Sequence, residues 1–275
     1  MELIGSKIQS LRKNKRLTQA QLAEALAVSA QTVSKWENHL SAPDIALLPV
    51  IARYFGITMD ELFNYRLDAL NWRERFIRFM ADNGVLQFGQ FRLKSGRTSP
   101  YYVNTGNYHA ASQLARLGEF YASCMRENNV AATLLAGSTE RETPMVMAAC
   151  MTLHSRYGAD VSWCLGGAGK APETGDRIVL IKDTLTSGQT LRAAIDAMRT
   201  EDRGSVTDVI VSVDRMERRD GSPWSARHEI ECDTGVRIHA IVTVDDIIRA
   251  VDQGIVGSRD MLCDIRRYRE TYGGQ

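Results

Sequence analysis

Apolar residues recur along this chain with two different periods. Through the first sixty-odd residues the spacing is helical. Leu3, Ile4, Ile8 and Leu11 mark one helix. Thr18 is placed to cap a second over Gln19–Leu26, with Leu22, Ala23 and Leu26 on its inner face. Ala27-Val28-Ser29 reads as a tight turn, and Ser29 as the cap of a third helix, Ala30–Asn38. Asp44–Phe55 follows Pro43, and Met59–Phe63 follows a Thr58 cap. The pattern predicts a small all-α unit of five helices over residues 1–65 and a second domain over 66–275. Asn64–Leu70 is a short link, and Trp72–Asn83 is already helical, with Trp72, Phe76, Phe79 and Met80 as its stripe. So short a link implies limited freedom between the two parts.

Beyond it, short apolar runs alternate with helical stretches. Strands are predicted at Gln90–Leu93, Tyr101–Asn104, Thr133–Ala136, Asp160–Cys164, Ile178–Ile181, Val206–Val213 and Val236–Thr243. Helices are predicted at Ala111–Asn128, Thr143–Tyr157, Thr190–Thr200 and Val244–Gln253. That alternation predicts an α/β domain with a mainly parallel sheet, and a fold class of α followed by α/β. Ile178–Ile181, apolar at every position, reads as a strand buried on both faces. It runs into a polar turn, Lys182–Thr190, and then a helix with apolar spacing through Leu191, Ala194, Ile195 and Met198. Strand, Thr/Ser/Gly turn and helix N-terminus together make an anion cradle, because unpaired N–H groups and the helix dipole point at the turn. A plain strand-to-helix connection with Ser/Thr capping fits the same spacing. Asp183 at the strand end could hold sugar hydroxyls or a metal beside such an anion.

Composition narrows the classes. The chain has 275 residues, 44% hydrophobic and 24% charged, which is ordinary for a globular protein. A net charge of +1 gives no global field for nucleic acid or membrane, so any such binding is local. The N-terminus is amphipathic and basic without an apolar signal core, and the longest apolar run, around Met145–Leu153, is too short to cross a bilayer. No membrane partner is expected. Five scattered cysteines without CxxC pairing imply free thiols in a reducing cytoplasm.

TQAQLAEALAVSAQTVSKWE followed by SAPDIALLPVIARYFGITMDELF resembles the Cro/C1-type (XRE family) helix-turn-helix domain over residues 3–63. The resemblance implies that the third helix enters the major groove of double-stranded DNA. Gln31, Thr32, Ser34 and Lys35 would then face bases or phosphates, with Val33 and Trp36 packed inward. Gln19 would meet a phosphate, and Asn38 follows the recognition helix. Asn38-His39-Leu40 stands where the family more often has a glycine turn. One such head has a small footprint, so two copies on a palindromic operator, and hence a homodimer, are expected.

The second part, from about Asn71 onward, resembles orotate phosphoribosyltransferases. NWRERFIRFMADNGVLQFGQFRLKSGRTSPYYVNTG, SVDRMER (Ser212–Arg218) and RRYRETYG (Arg266–Gly273) carry the likeness. IVLIKDTLTSGQT matches the family's phosphoribosyl-pyrophosphate loop. By that resemblance Lys94 and Arg215 hold the orotate carboxylate and ring oxygens, and Tyr102 packs on the pyrimidine. Thr186, Ser187, Gly188, Gln189 and Thr190 cradle the 5-phosphate beside Thr184, while Asp183 takes the ribose hydroxyls. Arg141 stands in the lysine position of the pyrophosphate turn. Mg²⁺ is implied only with bound or reacting phosphoribosyl pyrophosphate, and no protein-held metal is assigned.

Three departures bear on function. Lys182 replaces the first of two adjacent acidic residues. The pyrophosphate turn reads AGSTERETP, with Glu140 and Glu142 flanking Arg141. The cation-rich loop expected after Val161–Leu165 is reduced to GGAGKAPETGDR, with Lys170 its one cation before Arg177. Transfer needs positive charge over the departing pyrophosphate. Two functions are therefore expected in this order: a transcription regulator whose second domain dimerises and senses orotate, orotidine monophosphate or phosphoribosyl pyrophosphate; and, as the alternative, an active orotate phosphoribosyltransferase carrying a DNA-binding domain. No catalytic residue is assigned.

Overall fold

The computed structural model describes residues 4–57, 59–62, 70–93, 96–165, 168–200, 204–219 and 221–274. The chain divides into two units, Met1–Asn71 and Trp72–Gln275. The expected boundary between residues 65 and 66 falls in 63–69, outside the described residues, as do Lys94, Thr58 and Phe63.

The first unit holds α1 (Ile4–Asn14), α2 (Gln19–Ala25), α3 (Ala30–Glu37), α4 (Leu48–Phe55) and α5 (Met59–Leu62). Its core gathers the stripe residues Ile8, Leu22, Val33, Trp36, Ile51 and Leu62. Thr18 and Gln21 form a reciprocal capping box, with N–H to side-chain oxygen distances of 3.2 and 2.8 Å. Ser29 Oγ accepts from Thr32 N at 3.1 Å. Gly5 lets α1 lie on α3, since a Cβ there would overlap the Trp36 carbonyl. Among the turn residues that adopt left-handed backbone without being glycine are Ala27 at φ +55° and His39 at φ +61°. Each closes a helix by a bond from the following residue, Val28 N to Ala23 O at 2.9 Å and Leu40 N to Lys35 O at 2.8 Å. The fourth helix starts at Leu48 rather than at the expected Asp44. A start at Asp44 would put Pro49 in the helix interior, where its ring clashes and its missing N–H breaks the ladder. At Leu48 it falls in the first turn, where neither matters.

The second unit opens with α6 (Trp72–Asp82) and an antiparallel hairpin, β1 (Leu86–Arg92) and β2 (Thr98–Val103). There follow α7 (Ala111–Glu127), β3 (Leu134–Gly137), α8 (Thr143–Tyr157), β4 (Ser162–Leu165), β5 (Ala168–Gly169), β6 (Arg177–Leu185) and α9 (Gln189–Thr200). The chain then continues through β7 (Ser205–Asp214), α10 (Ala226–Thr234), β8 (Arg237–Thr243), α11 (Val244–Asp252) and α12 (Leu262–Tyr272). Among the described residues the main sheet has six strands in the order β5-β4-β3-β6-β7-β8, all parallel to their neighbours except β5.

Both faces of the sheet are covered, as the apolar run at 178–181 requires. Val179 and Ile181 join the core formed with α6, α7, α8, α11 and α12, while Ile178 and Leu180 join the one formed with α9 and α10. Two findings differ from expectation. Strand β6 runs four residues past Ile181, pairing Lys182, Thr184 and Leu185 with Val211, Val213 and Asp214. Polar residues at the carboxyl end of a strand look like a turn in sequence, but the neighbouring strand keeps them in the ladder. Helices α10 and α12 arise in charged stretches and bury few positions: α10 only Ala226 and Ile230, α12 only Leu262, Ile265 and Tyr268.

Candidate functional site

Parallel sheets present ligand sites at the carboxyl ends of their strands. At the end of β6, Thr186 and Ser187 are exposed, Gly188 is buried, and Gln189 and Thr190 are exposed at the start of α9. Gly188 has φ +73°, and a Cβ there would come within 2.7 Å of Ile230 Cδ1 on α10, so only glycine fits this turn without strain. Its carbonyl accepts Arg192 N at 2.9 Å, which opens the helix and leaves the first-turn N–H groups facing outward. Asp183 and Thr184 sit half-buried beside the turn. Asp183 Oδ1 accepts the Thr184 N–H at 2.6 Å, and Oδ2 lies 3.5 Å from Thr105 Oγ1. Asp183, Thr184, Thr186, Ser187, Gly188, Gln189 and Thr190 thus fall along one continuous strand end and turn.

The turn after β3 is different. Ser138 N and Thr139 N donate to Glu142 Oε2 at 2.6 and 2.8 Å, and Ser138 Oγ reaches the same oxygen at 2.8 Å. Lys182 Nζ pairs with Glu142 Oε1 and reaches Ser138 Oγ at 3.2 Å and Asp183 Oδ1 at 3.6 Å. The Glu142 side chain is 0% exposed and that of Lys182 10%, so both charges are taken out of water together. Gly137 makes room, since a Cβ there would meet Leu165 Cδ1 at 2.6 Å and Glu142 Cβ at 3.1 Å. Arg141 and Glu140 remain exposed. Sequence reading set Lys182 beside a ribose and Glu142 beside an anion; the structure instead turns them onto each other. The only signal for this was the presence of one new cation and one new anion at adjacent strand ends.

A buried network lies beneath. Tyr121 OH donates to the Lys182 carbonyl at 2.9 Å and lies 2.5 Å from Ser212 Oγ, tying α7 to β6 and β7. Burial pushes the Tyr121 phenol well above its ordinary pKa, so it stays a donor.

Of the three residues expected on the base, Arg215 and Tyr102 lie among the described residues. Arg215 is 4% exposed. Its Nε donates to Glu217 Oε1 at 2.7 Å, its Nη2 to Ser99 Oγ at 2.9 Å and to Tyr268 OH at 3.3 Å, and the guanidinium lies 4.3 Å from the Tyr101 ring centre. It clasps β2, β7 and α12 rather than reaching into the open. Tyr102 is half-buried on the hairpin, stacked on Phe91 with centroids 5.5 Å apart. Lys94 lies outside the described residues.

In the first unit, α3 turns Val33 and Trp36 inward and leaves Gln31 and Lys35 exposed. Thr32 Oγ1 is 2.8 Å from Ser29 Oγ, and Asn38 Nδ2 donates to the Ser34 carbonyl at 2.9 Å. Gln19 Nε2 donates to Glu37 Oε2 at 2.8 Å. Glu37, at 0% side-chain exposure, also takes Arg12 Nε at 2.6 Å and Nη2 at 2.8 Å, so one carboxylate links α1, α2 and α3. Gln31 and Lys35 are therefore the two long polar arms of α3 that the fold leaves extended.

The donor set at Asp183 does not fit a protein-held Mg²⁺: one carboxylate stands alone with an ammonium 3.6 Å away. No group of three or more His, Cys, Asp or Glu among the described residues could hold a metal ion, and no described helix is long and apolar enough to cross a membrane.

Fold and site together define a two-part protein, a helix-turn-helix domain joined to an α/β domain of the phosphoribosyltransferase type. A helix-turn-helix family model matches residues 8–62. The orotate phosphoribosyltransferase of Pseudomonas fluorescens (strain SBW25) is 33% identical over 213 residues, covering 74% of this chain and 98% of the relative. That of Clostridium botulinum (strain Eklund 17B / Type B) is 32% identical over 222 residues, covering 74% and 99%. The crystal structure of the Francisella tularensis orotate phosphoribosyltransferase superposes with a TM-score of 0.65 at 29% identity, covering 73% of this chain and 100% of that one. The chain belongs to the orotate phosphoribosyltransferase family, with the helix-turn-helix domain added at its N-terminus.

Proposed function

We propose that this chain is a DNA-binding transcription regulator whose α/β domain dimerises and senses a pyrimidine-pathway ligand: orotate, orotidine monophosphate or phosphoribosyl pyrophosphate. The observation that carries the reading is the closed turn after β3. Its N–H groups, which would otherwise stabilise charge on a departing group, are held by the chain's own Glu142, and Lys182 is spent in neutralising it. The short connection after β4 agrees. Its cation, Lys170, is bound to Asp176 at 3.0 Å. Asp176 is in turn held down at about 2 by the Glu173 N–H, Thr133 and Lys170. Neither group supplies a mobile positive lid. The β6–α9 turn, with Thr186, Ser187, Gln189 and Thr190 presented to solvent, keeps the means to bind a phosphate.

DNA would be read by α3 through Gln31 and Lys35 with Thr32 and Ser34, Gln19 and Asn38 supporting the phosphate side, and two copies would span a palindromic site in the cytoplasm. Arg141, exposed at the β3 turn, and Asp183 would complete the ligand site. Regulation requires only that the ligand bind two dimer geometries with different affinity. The alternative, an active transferase using Mg²⁺ on its diphosphate substrate, is favoured by one observation: the chain spans 98% of a relative that bears that activity in its name.

The two readings separate in one pair of measurements. Loss of orotate absorbance with phosphoribosyl pyrophosphate and Mg²⁺ at high protein concentration establishes the enzyme. A flat trace, with salt-sensitive binding to a palindromic DNA site that shifts when ligand is added, establishes the regulator.

A further inference from the structure

Strands β3 and β6 are neighbours in the middle of the sheet, with Gly137 opposite Ile181, so the turns that follow them open side by side at its carboxyl end. Both turns have the elements of an anion cradle, and they differ in what fills them. The β6 turn is exposed and carries hydroxyls and first-turn N–H groups. The β3 turn already contains an anion: the Glu142 carboxylate accepts two backbone N–H groups and the Ser138 hydroxyl, and an ammonium completes its shell.

We propose that Glu142 acts as an internal anion that closes the β3 turn to phosphate, so that the α/β domain takes a ligand bearing one phosphate and rejects the related ligand bearing an additional diphosphate. This rests on the reading that the β6 turn binds a phosphorylated pyrimidine-pathway ligand, and it selects among the candidates: a nucleoside 5′-monophosphate fits, a 1-diphosphorylated sugar does not. To enter the β3 turn a diphosphate must break three hydrogen bonds to a fully buried carboxylate and separate that carboxylate from Lys182. The displaced Glu142 would then stand beside the incoming anion, as Asp183 already does on the adjoining strand. A monophosphate in the β6 turn disturbs none of these contacts. The same pair explains why the turn needs Gly137, whose missing Cβ gives Glu142 its place.

The test is calorimetric titration of the full chain with orotidine monophosphate, phosphoribosyl pyrophosphate and inorganic pyrophosphate, each with and without Mg²⁺. Orotidine monophosphate is expected to bind at least tenfold more tightly than phosphoribosyl pyrophosphate, and pyrophosphate to give no heat. Glu142→Gln keeps the side-chain shape and an acceptor for the two N–H groups, so the fold, checked by circular dichroism, should persist. It leaves Lys182 with only Asp183, 3.6 Å away, as counter-charge, and pyrophosphate and phosphoribosyl pyrophosphate should each gain tenfold or more while the monophosphate changes by less than about twofold. If the native chain binds phosphoribosyl pyrophosphate as tightly as the monophosphate, the closed turn is refuted and the sensing of a pyrimidine-pathway ligand stands. If none of the three compounds binds, the ligand site itself is refuted and this selection with it.

Discussion

Replacing Arg12 with alanine should unlock the helix-turn-helix unit, by an amount that the geometry bounds. Glu37 is fully buried and accepts two bonds from the Arg12 guanidinium, one from Gln19 and a long one of 3.5 Å from Gln9. Without Arg12 the carboxylate stays buried without a counter-charge, which costs roughly 3–5 kcal/mol. The two glutamine amides remain as donors, so the low end, about 3 kcal/mol, applies. A unit the size of Met1–Asn71 has roughly 4–10 kcal/mol of net stability, so much of it would be lost. Hydrogen exchange read on peptides from α1, α2 and α3 in the full chain isolates this unit, and 3 kcal/mol accelerates its slowest amides by about a hundredfold.

The pH dependence gives a second signature. Burial raises the Glu37 pKa, but the bonds from Arg12 and Gln19 outweigh it and leave the group below its ordinary value. A depressed carboxylate adds stability that is present above its unfolded pKa and lost as pH falls through the folded one. In Arg12→Ala only burial and the amides remain, so the variant's deficit should shrink between pH 7 and 4 as Glu37 takes up a proton. A loss below about 1 kcal/mol, or one that does not change over that range, would refute the buried-pair account.

Other outcomes follow from single residues. Ala27→Gly relieves a left-handed alanine and should stabilise the same unit by about 0.5–1 kcal/mol, seen as slower exchange in α2 and α3; a loss of protection would show that the turn is not strained. Lys35→Ala should weaken DNA binding on all sequences and reduce the salt slope by about one, whereas Gln31→Ala should relax base preference; unchanged binding in both would mean that another face reads DNA. Gly188→Ala should lower ligand affinity tenfold or more in calorimetry with little change in DNA binding at zero ligand, because its Cβ forces the phosphate turn off Ile230; full affinity would move the site away from this turn. Tyr121→Phe leaves the Lys182 carbonyl and Ser212 short of a partner, and should cost about 1–3 kcal/mol in denaturation of the α/β unit.

Local signals proved readable where the cause is local. Thr18 and Ser29 cap helices through side chains that bond three residues ahead, and the run Ile178–Ile181 announces a strand buried on both faces. The start of α4 is local too, since Pro49 belongs in the first turn of a helix. What sequence could not show was set across long separations. Lys182–Leu185 look like a turn until β7 pairs with them. Arg215 has the chemistry of a ligand arm, and besides the nearby Glu217 it is Ser99 and Tyr268, far off in sequence, that hold it inside. Helix α10 has too few apolar positions for a stripe, yet its Ile230 packs against Gly188 in the β6–α9 turn.

Glu142 and Lys182 also constrain how this sequence can drift. Losing Lys182 alone strands Glu142 as a buried, uncompensated charge at a cost of about 3–5 kcal/mol, and losing Glu142 alone leaves Lys182 only the more distant Asp183, whereas exchanging both for uncharged residues of similar size is close to neutral. The two positions should therefore vary together among descendants of this chain. A return to a turn open to pyrophosphate, taken one substitution at a time, passes through a folded but less stable protein, so the closed turn resists reversal.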